Sequence, residues 1–277
     1  VSISLSDIYL HREESSSVLD AGAMAYINLW AQKVFNPFLL AIGLFYRRRT
    51  LVLVCLALQL YFFAVTQHRT HLFVPVLVFL VYLLYSRPFQ HTHMYYLMSV
   101  ALAGLLMSSL HFDLNDPPAL VIRRAFFVAP SVTYDWFDYF KANPHVYFAD
   151  NLLRNYIASV YTGENLPALM SQLVFSGKEF GFNVGLVGAG YAQLGMAGVF
   201  LYATIVGLFV WLANGLIRRG LPVFIAAAVL FDPLRTAWAD SDVFTAILSH
   251  GILAGLVLMW IYGGTAAHRR GITVATA

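Results

Sequence analysis

The stretch LVLVCLALQLYFFAV, residues 51–65, is almost wholly apolar and carries no charged side chain. A helix needs about 20 mostly apolar residues to cross the hydrocarbon core of a bilayer. The whole chain of 277 residues has this character, since 60% of its residues are hydrophobic and only 11% are charged. Soluble domains carry about 25% charged residues. The sequence therefore predicts an all-α polytopic membrane protein and excludes a disordered chain, a disulfide scaffold and a nucleic-acid-binding domain.

Seven apolar runs, this stretch included, are predicted to be membrane-spanning helices. The third run is short, and the sixth is interrupted by Asp232, Pro233 and Arg235. The runs are residues 25–46, 50–66, 72–86, 94–110, 196–214, 221–236 and 246–263. They divide the chain into an extracytoplasmic segment (1–24), four transmembrane helices (25–110), a long extracytoplasmic loop (111–195), and three transmembrane helices with a short cytoplasmic tail (196–277).

The placement of basic residues predicts the orientation of these helices, because Lys and Arg accumulate in short cytoplasmic loops. If the turn 47–49, which is Arg-Arg-Arg, is cytoplasmic, every other short basic connection falls on the same side. None of these connections contains Asp or Glu, and they hold Arg87, Arg218, Arg219, Arg269 and Arg270. We therefore expect an extracytoplasmic N-terminus and a cytoplasmic C-terminus.

The predicted cytoplasmic connections are too short to hold a nucleotide-sugar domain, an ATPase or a kinase. The chain has no P-loop, and GAGYAQLG (residues 188–195) does not have the spacing of a dinucleotide fingerprint. The single cysteine, Cys55, has no partner for an intrachain disulfide. We expect no cofactor, no nucleic-acid partner, and a working surface on the external side of the membrane.

That surface is predicted in the long loop, because a connection of this length often carries function. Arg123 and Arg124 form a paired cation before an apolar stretch that ends at Pro130. An aromatic and acidic stretch, YDWFDYF (residues 134–140), follows. Two interpretations stay open. The first is an amphipathic helix at the membrane interface, with aromatic and arginine side chains facing lipid. The second is a site for sugars and phosphate.

In the second interpretation each residue type has a chemical role. Guanidinium groups pair bidentately with phosphate oxygens, which assigns Arg123 and Arg124 to phosphate. Aromatic faces stack on the C–H faces of sugars, while amide and carboxylate groups accept hydrogen bonds from sugar hydroxyls. The predicted sugar-binding residues are Tyr134, Tyr139, Asn143 and Tyr191.

The loop closes with the glycine-rich segment GKEFGFNVGLVGAGYAQLGMAG, residues 177–198. Glycines at this density permit either close helix packing or an irregular backbone that contacts a ligand. Glu179 in this segment is a carboxylate at a membrane entry, which is costly unless it is solvated or used.

Four segments of the chain resemble, in the same order, the motifs of Wzy-type O-antigen and capsule polymerases, the bacterial oligosaccharide repeat-unit polymerases. Where that family usually has Tyr-Asp-x-Arg in the first segment, this chain has Tyr-Leu-His-Arg (residues 9–12). The four segments are YLHREESSSVLDAGAMAYINLWAQKVFNPFLL (9–40), TQHRTHLFVPVLVFLVYLLY (66–85), RRAFFVAPSVTYDWFDYFKANP (123–144) and GKEFGFNVGLVGAGYAQLGMAGVFLY (177–202).

The resemblance implies a glycosyltransferase of the multi-span, lipid-sugar-using class (GT-C-like), of which this chain is the C-terminal portion. It implies a place in the bacterial inner membrane, with the working surface on the outer face. The implied partners are polyprenyl-diphosphate-linked oligosaccharides, membrane lipids, a chain-length regulator and a flippase. Because the family has an arginine in its first loop, the resemblance also implies that Arg12 contributes to diphosphate binding.

Transfer to a sugar hydroxyl needs a base, because such hydroxyls are poor nucleophiles at neutral pH. The candidates are Asp135, Asp138 and Glu179, with His145 as a rival because imidazole accepts protons near neutral pH. Asp135 and Asp138 share one face if their segment is helical. No metal-ligand pair of histidines occurs in the loop, so we predict transfer without a metal ion.

Two other functions stay open. An O-antigen ligase-like glycosyltransferase would pass the chain to a lipid core instead of to a repeat unit. A flippase or transporter would move the lipid-linked sugar, and such proteins generally bury charges within their spans. Here most charges lie outside the spans, with Lys33, Asp232 and Arg235 as exceptions.

Overall fold

The computed structural model describes residues 23–66, 70–86, 95–96, 99–104, 107, 127–150, 156–161, 166–174 and 182–269. In this part of the chain every regular element is helical, which confirms the predicted all-α class. The elements are α1 (Ala23–Trp30), a π-helical turn (Ala31–Phe35), α2 (Asn36–Phe45), α3 (Arg49–Thr66), α4 (Thr70–Ser86), α5 (Ala129–Ala142), α6 (Leu166–Val174), α7 (Leu186–Leu194), α8 (Met196–Arg218), α9 (Val223–Ala239), α10 (Val243–Leu248) and α11 (Ile252–Arg269).

Three helical segments of the described chain are long and apolar enough to cross a membrane. They are α3, α8 and the segment Val243–Gly263, which contains α10 and the start of α11. The apolar helix His71–Tyr85 is shorter. The chain is therefore a helical membrane protein. Seven spans stay a prediction, because about half of the run 94–110 lies outside the described residues and only these three described segments meet the length and composition of a span.

The chain divides into two compact units. The first unit contains the described residues of 1–88, 209–234 and 246–277, and the second contains those of 89–208 and 235–245. The helices α8, α9 and α10 each contribute residues to both units. α9 continues as one helix through Pro233, where the apolar run is interrupted in sequence.

In the first unit, α1 and α2 are joined by the π-helical turn. Pro37 has no N–H to donate to the carbonyl of Lys33, and its ring crowds that carbonyl, which favours a wider turn there. Asn36 is buried beside it and donates from Nδ2 to the Cys55 carbonyl (3.0 Å) and to Gln59 Oε1. Polar side chains bonded in this way hold apolar helices together, and here they tie α2 to α3.

The turn between α2 and α3 is a Schellman motif around Arg47, which has a left-handed φ of 53°. The N–H of Arg48 donates to the Gly43 carbonyl (2.8 Å), and the N–H of Arg47 donates to the Leu44 carbonyl (3.2 Å). Gly43 also lets the two helices approach, since a Cβ there would lie 3.0 Å from Cγ2 of Val52.

A charged cluster of Lys33, Asp232 and His250, hereafter the Lys33 cluster, lies inside the first unit. Lys33 Nζ is 2.9 Å from His250 Nδ1 and 4.0 Å from Asp232 Oδ2. Asp232 is buried, and His250 occupies the turn between α10 and α11, where Gly251 has a φ of 90°. Charges within membrane helices are costly and are usually paired with one another, as they are here.

In the second unit, α5 begins with Pro130 in its first turn, where a missing N–H costs no helical hydrogen bond. Val132, Trp136 and Phe140 recur at helical spacing and form its buried stripe. The helix ends at Ala142, and Pro144 follows, which cannot continue it.

α7 is rich in small residues and packs closely on its neighbours. A Cβ at Gly190 would lie 2.7 Å from the Gly198 carbonyl oxygen in α8, and a Cβ at Gly185 would overlap the Trp238 carbonyl. The close packing predicted as one possibility for the glycine-rich segment is confirmed at these positions. α7 ends before Gly195, whose positive φ of 62° glycine adopts without strain.

Candidate functional site

Aromatic side chains join α5 to α7 in the second unit. Phe137 stacks on Tyr191, with ring centroids 3.9 Å apart and planes inclined by 14°. His145, which follows α5, lies nearly perpendicular to Tyr191 at 5.7 Å and nearly parallel to Phe140 at 6.4 Å. The structure therefore brings together two predicted site residues, His145 from the middle of the long loop and Tyr191 from near its C-terminal end.

The imidazole of His145 is half-buried and held mainly by packing. Its Nδ1 atom is buried and has no hydrogen-bond partner in the described part of the chain. A Cβ at Gly195 would lie 3.2 Å from Nε2, so the glycine leaves room for the ring.

The loop His145–Asp150 is bound to the C-terminal end of α7. The N–H of Val146 donates to the Ala192 carbonyl (2.9 Å), and the N–H of Tyr147 donates to the Gln193 carbonyl (3.2 Å). Carbonyls in the last turn of a helix have no partner within the helix, and the loop supplies an N–H donor to these two carbonyls. The loop therefore has a fixed register on α7.

Two consecutive residues of this loop adopt left-handed conformations, Tyr147 with φ 54° and Phe148 with φ 63°. A residue with a Cβ holds this conformation only where its surroundings impose it. The side chain of Gln193 does so from a buried position. Its Oε1 accepts from the Phe148 N–H (2.6 Å), and its Nε2 donates to Oδ1 of Asp150 (3.0 Å).

The residue Asp150 is solvent-exposed, but the pKa of its carboxyl group is raised. Desolvation by the surrounding residues raises its pKa, the hydrogen bond from Gln193 opposes this, and the charge of Asp242 raises the pKa further. Asp242 is fixed by the Tyr202 hydroxyl (2.6 Å) and by the Phe244 N–H (2.8 Å) at the start of α10. A raised pKa makes the Asp150 carboxylate a stronger proton acceptor than an ordinary aspartate.

Asp135 and Asp138 lie on one face of a helix, as predicted. Asp135 is half-buried beside the apolar stripe of α5, whereas Asp138 is exposed. Desolvation raises the pKa of Asp135, and the charge of Asp138 adds to this effect. No described residue donates a hydrogen bond that would orient either carboxylate.

The remaining described candidates differ in their surroundings. Asn143 donates from Nδ2 to the Tyr139 carbonyl (2.8 Å) at the end of α5, and the Tyr139 ring lies 6.1 Å from that of Tyr161. The Tyr161 hydroxyl donates to the Pro144 carbonyl (2.5 Å), and desolvation raises its pKa to about 12. Tyr139 and Asn143 thus stabilise the end of α5, while Tyr134 exposes 72% of its surface.

Four predicted site residues lie outside the described part of the chain, and their roles stay predictions. They are Arg12, Arg123, Arg124 and Glu179.

Sequence reasoning missed the pairing of Gln193 with Asp150. The signal available was the composition of α7, LVGAGYAQL, in which Gln193 is the one amide among small, apolar and aromatic residues. An amide in a helix that is otherwise buried requires partners. Its partners lie more than 40 positions away, and the sequence does not identify them.

These features define a helical membrane protein in which aromatic, histidine and carboxylate side chains gather in one unit. A family model described as "Putative O-antigen polymerase" matches residues 25–228. The chain belongs to this O-antigen polymerase family, as the resemblance of its four segments indicated. It is therefore, in broad terms, a glycosyl-transferring membrane enzyme of polysaccharide biosynthesis whose substrates are lipid-linked oligosaccharides. Comparisons with curated proteins and with solved structures found no match.

Proposed function

We propose that this chain polymerises polyprenyl-diphosphate-linked oligosaccharide repeat units into a surface polysaccharide. The observation that carries the proposal is the family match over residues 25–228. It is supported by the contact of α5, α7 and the loop His145–Asp150, which gathers a histidine, carboxylates and aromatic rings within one unit. Such groups suit the binding of sugars and the activation of a hydroxyl.

The proposed reaction joins two lipid-linked glycans. The donor is a glycan chain on a polyprenyl diphosphate, and the acceptor is one repeat unit on a second such lipid. A hydroxyl at the non-reducing end of the acceptor attacks the anomeric carbon of the donor and forms the new C–O bond. The bond from that carbon to the diphosphate breaks, polyprenyl diphosphate leaves with the electron pair, and the hydroxyl proton passes to a base.

The reaction takes place, in this proposal, on the extracytoplasmic face of the bacterial inner membrane. The distribution of basic residues supports an external long loop (111–195), an extracytoplasmic N-terminus and a cytoplasmic C-terminus. Repeat units arrive on that face after a flippase has moved them, and a chain-length regulator accompanies the polymerase.

Arg12, Arg123 and Arg124 are proposed to bind the diphosphate, whose charge needs several guanidinium groups. The exposed ring of Tyr134 is available to stack on a sugar. Tyr139, Asn143 and Tyr191 line the same unit and act on the glycan directly or by fixing the backbone around it. The candidates for the base that the sequence offers are Asp135, Asp138, Glu179 and His145.

Deletion of the gene in its host tests the proposal against its alternatives, with the surface polysaccharide separated on a gel. Loss of a polymerase leaves single repeat units attached to the lipid acceptor, which is the expected result. Loss of a ligase would leave polymer that is never attached to the lipid core. Loss of a flippase would trap repeat units on the cytoplasmic side. Either of the last two results contradicts the proposal.

A further inference from the structure

We propose that Asp150 is the base that accepts the proton of the acceptor hydroxyl, and that Gln193 is the residue that positions its carboxylate. This inference rests on the polymerase function proposed above and assigns a residue to one of its steps.

The hydrogen bonds of Gln193 orient the Asp150 carboxylate. Gln193 is 3% exposed, and its two polar atoms are both used, Oε1 on the Phe148 N–H and Nε2 on Asp150 Oδ1. One oxygen of the carboxylate is therefore held by a buried donor. The carboxylate also accepts a hydrogen bond from its own backbone N–H, and its exposure gives a hydroxyl access to it. A general base needs this kind of fixed direction, because the hydroxyl must lie within hydrogen-bond distance of it.

The strained turn supports the same assignment. Tyr147 and Phe148 both hold left-handed conformations, which cost free energy, and the loop stays in place through its bonds to the end of α7. The turn places His145 at one end and Asp150 at the other, and the Tyr147 ring between them is 52% exposed. An exposed aromatic side chain in the same short loop as an oriented carboxylate is suited to a sugar that presents a hydroxyl.

The neighbouring carboxylates are less suited to the role. Both oxygens of Asp242 are occupied, Oδ2 by the Tyr202 hydroxyl and Oδ1 by the Phe244 N–H. Asp138 is exposed, and no described residue donates a hydrogen bond to orient it. Asp150 is exposed to solvent, and the hydrogen bond from Gln193 orients its carboxylate.

The groups that face Asp150 predict the pH dependence. Gln193 faces it from α7, Asp242 from the start of α10 and Tyr202 from α8. Desolvation and, less strongly, the charge of Asp242 raise the pKa of Asp150, while the hydrogen bonds from Gln193 and from its own backbone N–H lower it. A base must be ionised to accept a proton, so turnover falls as the pH drops through this pKa. The acid side of the pH–kcat profile then reports Asp150.

The proposed step is balanced without another reactant. The acceptor O–H bond breaks as its oxygen bonds to the anomeric carbon, and the proton moves to the carboxylate of Asp150. The bond from the anomeric carbon to the diphosphate breaks with the electron pair on the leaving group. The protonated Asp150 then releases its proton to water.

The first measurement compares the purified full chain with its Asp150→Asn variant on polyprenyl-diphosphate-linked repeat units. Asn keeps an oxygen for the Gln193 donor but cannot take the proton. The expected result is a fall in kcat of about 10²–10⁴-fold with the KM for the acceptor nearly unchanged. The matched control is Asp240→Asn, an exposed carboxylate bound to Arg235, which should keep wild-type turnover.

The fold of the Asp150→Asn variant is expected to persist. A raised carboxyl pKa means that the folded chain binds the proton more tightly than the unfolded chain, so ionising Asp150 costs stability above that pKa. Asparagine removes this cost at neutral pH. The Tm of the variant should equal or exceed that of the wild type.

The second measurement uses Gln193→Glu. This variant keeps an acceptor for the Phe148 N–H but replaces Nε2, the donor to Asp150, by a carboxylate oxygen. The apparent pKa of the resulting carboxyl pair rises, because one carboxylate disfavours the ionisation of the other. The acid side of the pH–kcat profile should shift to higher pH. A midpoint that does not move would show that the acid side of the profile does not report Asp150, and that result would overturn its role as the base.

The activity of the wild-type enzyme distinguishes failure of the proposed function from failure of the Asp150 assignment. If it makes no polymer from lipid-linked repeat units, the proposed function fails. If it polymerises and Asp150→Asn retains more than about a hundredth of its turnover, the assignment of Asp150 alone fails, since a general base contributes at least about 10²-fold. Should Asp150→Asn not fold, the shift in the Gln193→Glu profile decides the matter.

Discussion

The Lys33 cluster in the first unit and the loop His145–Asp150 in the second unit use polar side chains in opposite ways. In the cluster, Lys33 contacts both Asp232 and His250, and the charges compensate one another in a buried place. In the loop, Gln193 holds Asp150 at an exposed edge, and no cation of the described chain neutralises it. A carboxylate of the first kind stabilises the fold, whereas one of the second kind is available for chemistry.

This difference predicts opposite effects of substitution. Removing one member of a buried pair leaves the other charge uncompensated and destabilises the protein. Removing an exposed and oriented carboxylate abolishes a chemical step but leaves the packing intact. Stability and activity should therefore separate between the two regions.

The largest expected effect on stability is that of Asp232→Leu. It leaves Lys33, whose side chain is 15% exposed, without its carboxylate, which costs about 3–5 kcal/mol. The measurement is the thermal unfolding of the purified protein, in which Tm should fall sharply. The double variant Lys33→Met/Asp232→Leu should recover much of the loss, because apolar groups of similar size replace the pair.

Asp240→Asn is the matched control for this prediction, since Asp240 is half exposed and pairs with Arg235. Exposed pairs contribute about 0–1 kcal/mol. If Asp232→Leu were no more destabilising than Asp240→Asn, the structural role of the Lys33 cluster would be wrong.

A smaller effect is expected where α7 and α8 meet in the second unit. Gly198→Ala places a methyl group against the backbone of Gly190, and such overpacking costs roughly 1–3 kcal/mol. Gly207→Ala, in the same helix, meets nothing within 4 Å and should leave Tm unchanged or slightly higher. Equal Tm values for the two variants would contradict the close packing of α7 on α8.

The helices of this chain are the part that the sequence predicts well. The apolar run 50–66 corresponds to α3, Arg49–Thr66, because a continuous apolar run between charged residues leaves few alternatives. The run 246–263 is less well predicted, since it contains the turn at His250 and Gly251 between α10 and α11. That turn is stabilised by Lys33 and by the indole of Trp30, which are distant in sequence.

The candidate site was also predictable only in part, because some of its contacts join residues that are distant in sequence. The pattern of α5 places Asp135 and Asp138 on one helix face, because side-chain direction follows from helical spacing. The left-handed conformations of Tyr147 and Phe148 contradict the preferences of aromatic residues. They arise from Gln193, a contact that no local pattern reveals.

The smallest expected effect is that of Tyr161→Phe, which removes the hydroxyl bound to the Pro144 carbonyl. One such hydrogen bond contributes about 0.5–1.5 kcal/mol. Because the pKa of Tyr161 is raised to about 12, the hydroxyl stays protonated near neutral pH and the loss in Tm should not vary with pH there. A pH-dependent loss in that range would show that the hydroxyl has another role.

The most direct test of the central claim is polymerisation by the purified full chain in lipid vesicles that carry polyprenyl-diphosphate-linked repeat units, in excess chelator. We expect a ladder of glycan lengths and one polyprenyl diphosphate released for each bond formed, with the metal-free condition giving the same ladder as the untreated one. A ladder that disappears in chelator and returns with magnesium or manganese would overturn transfer without a metal ion. Movement of repeat units across the vesicle membrane without any bond formed would contradict the polymerase itself.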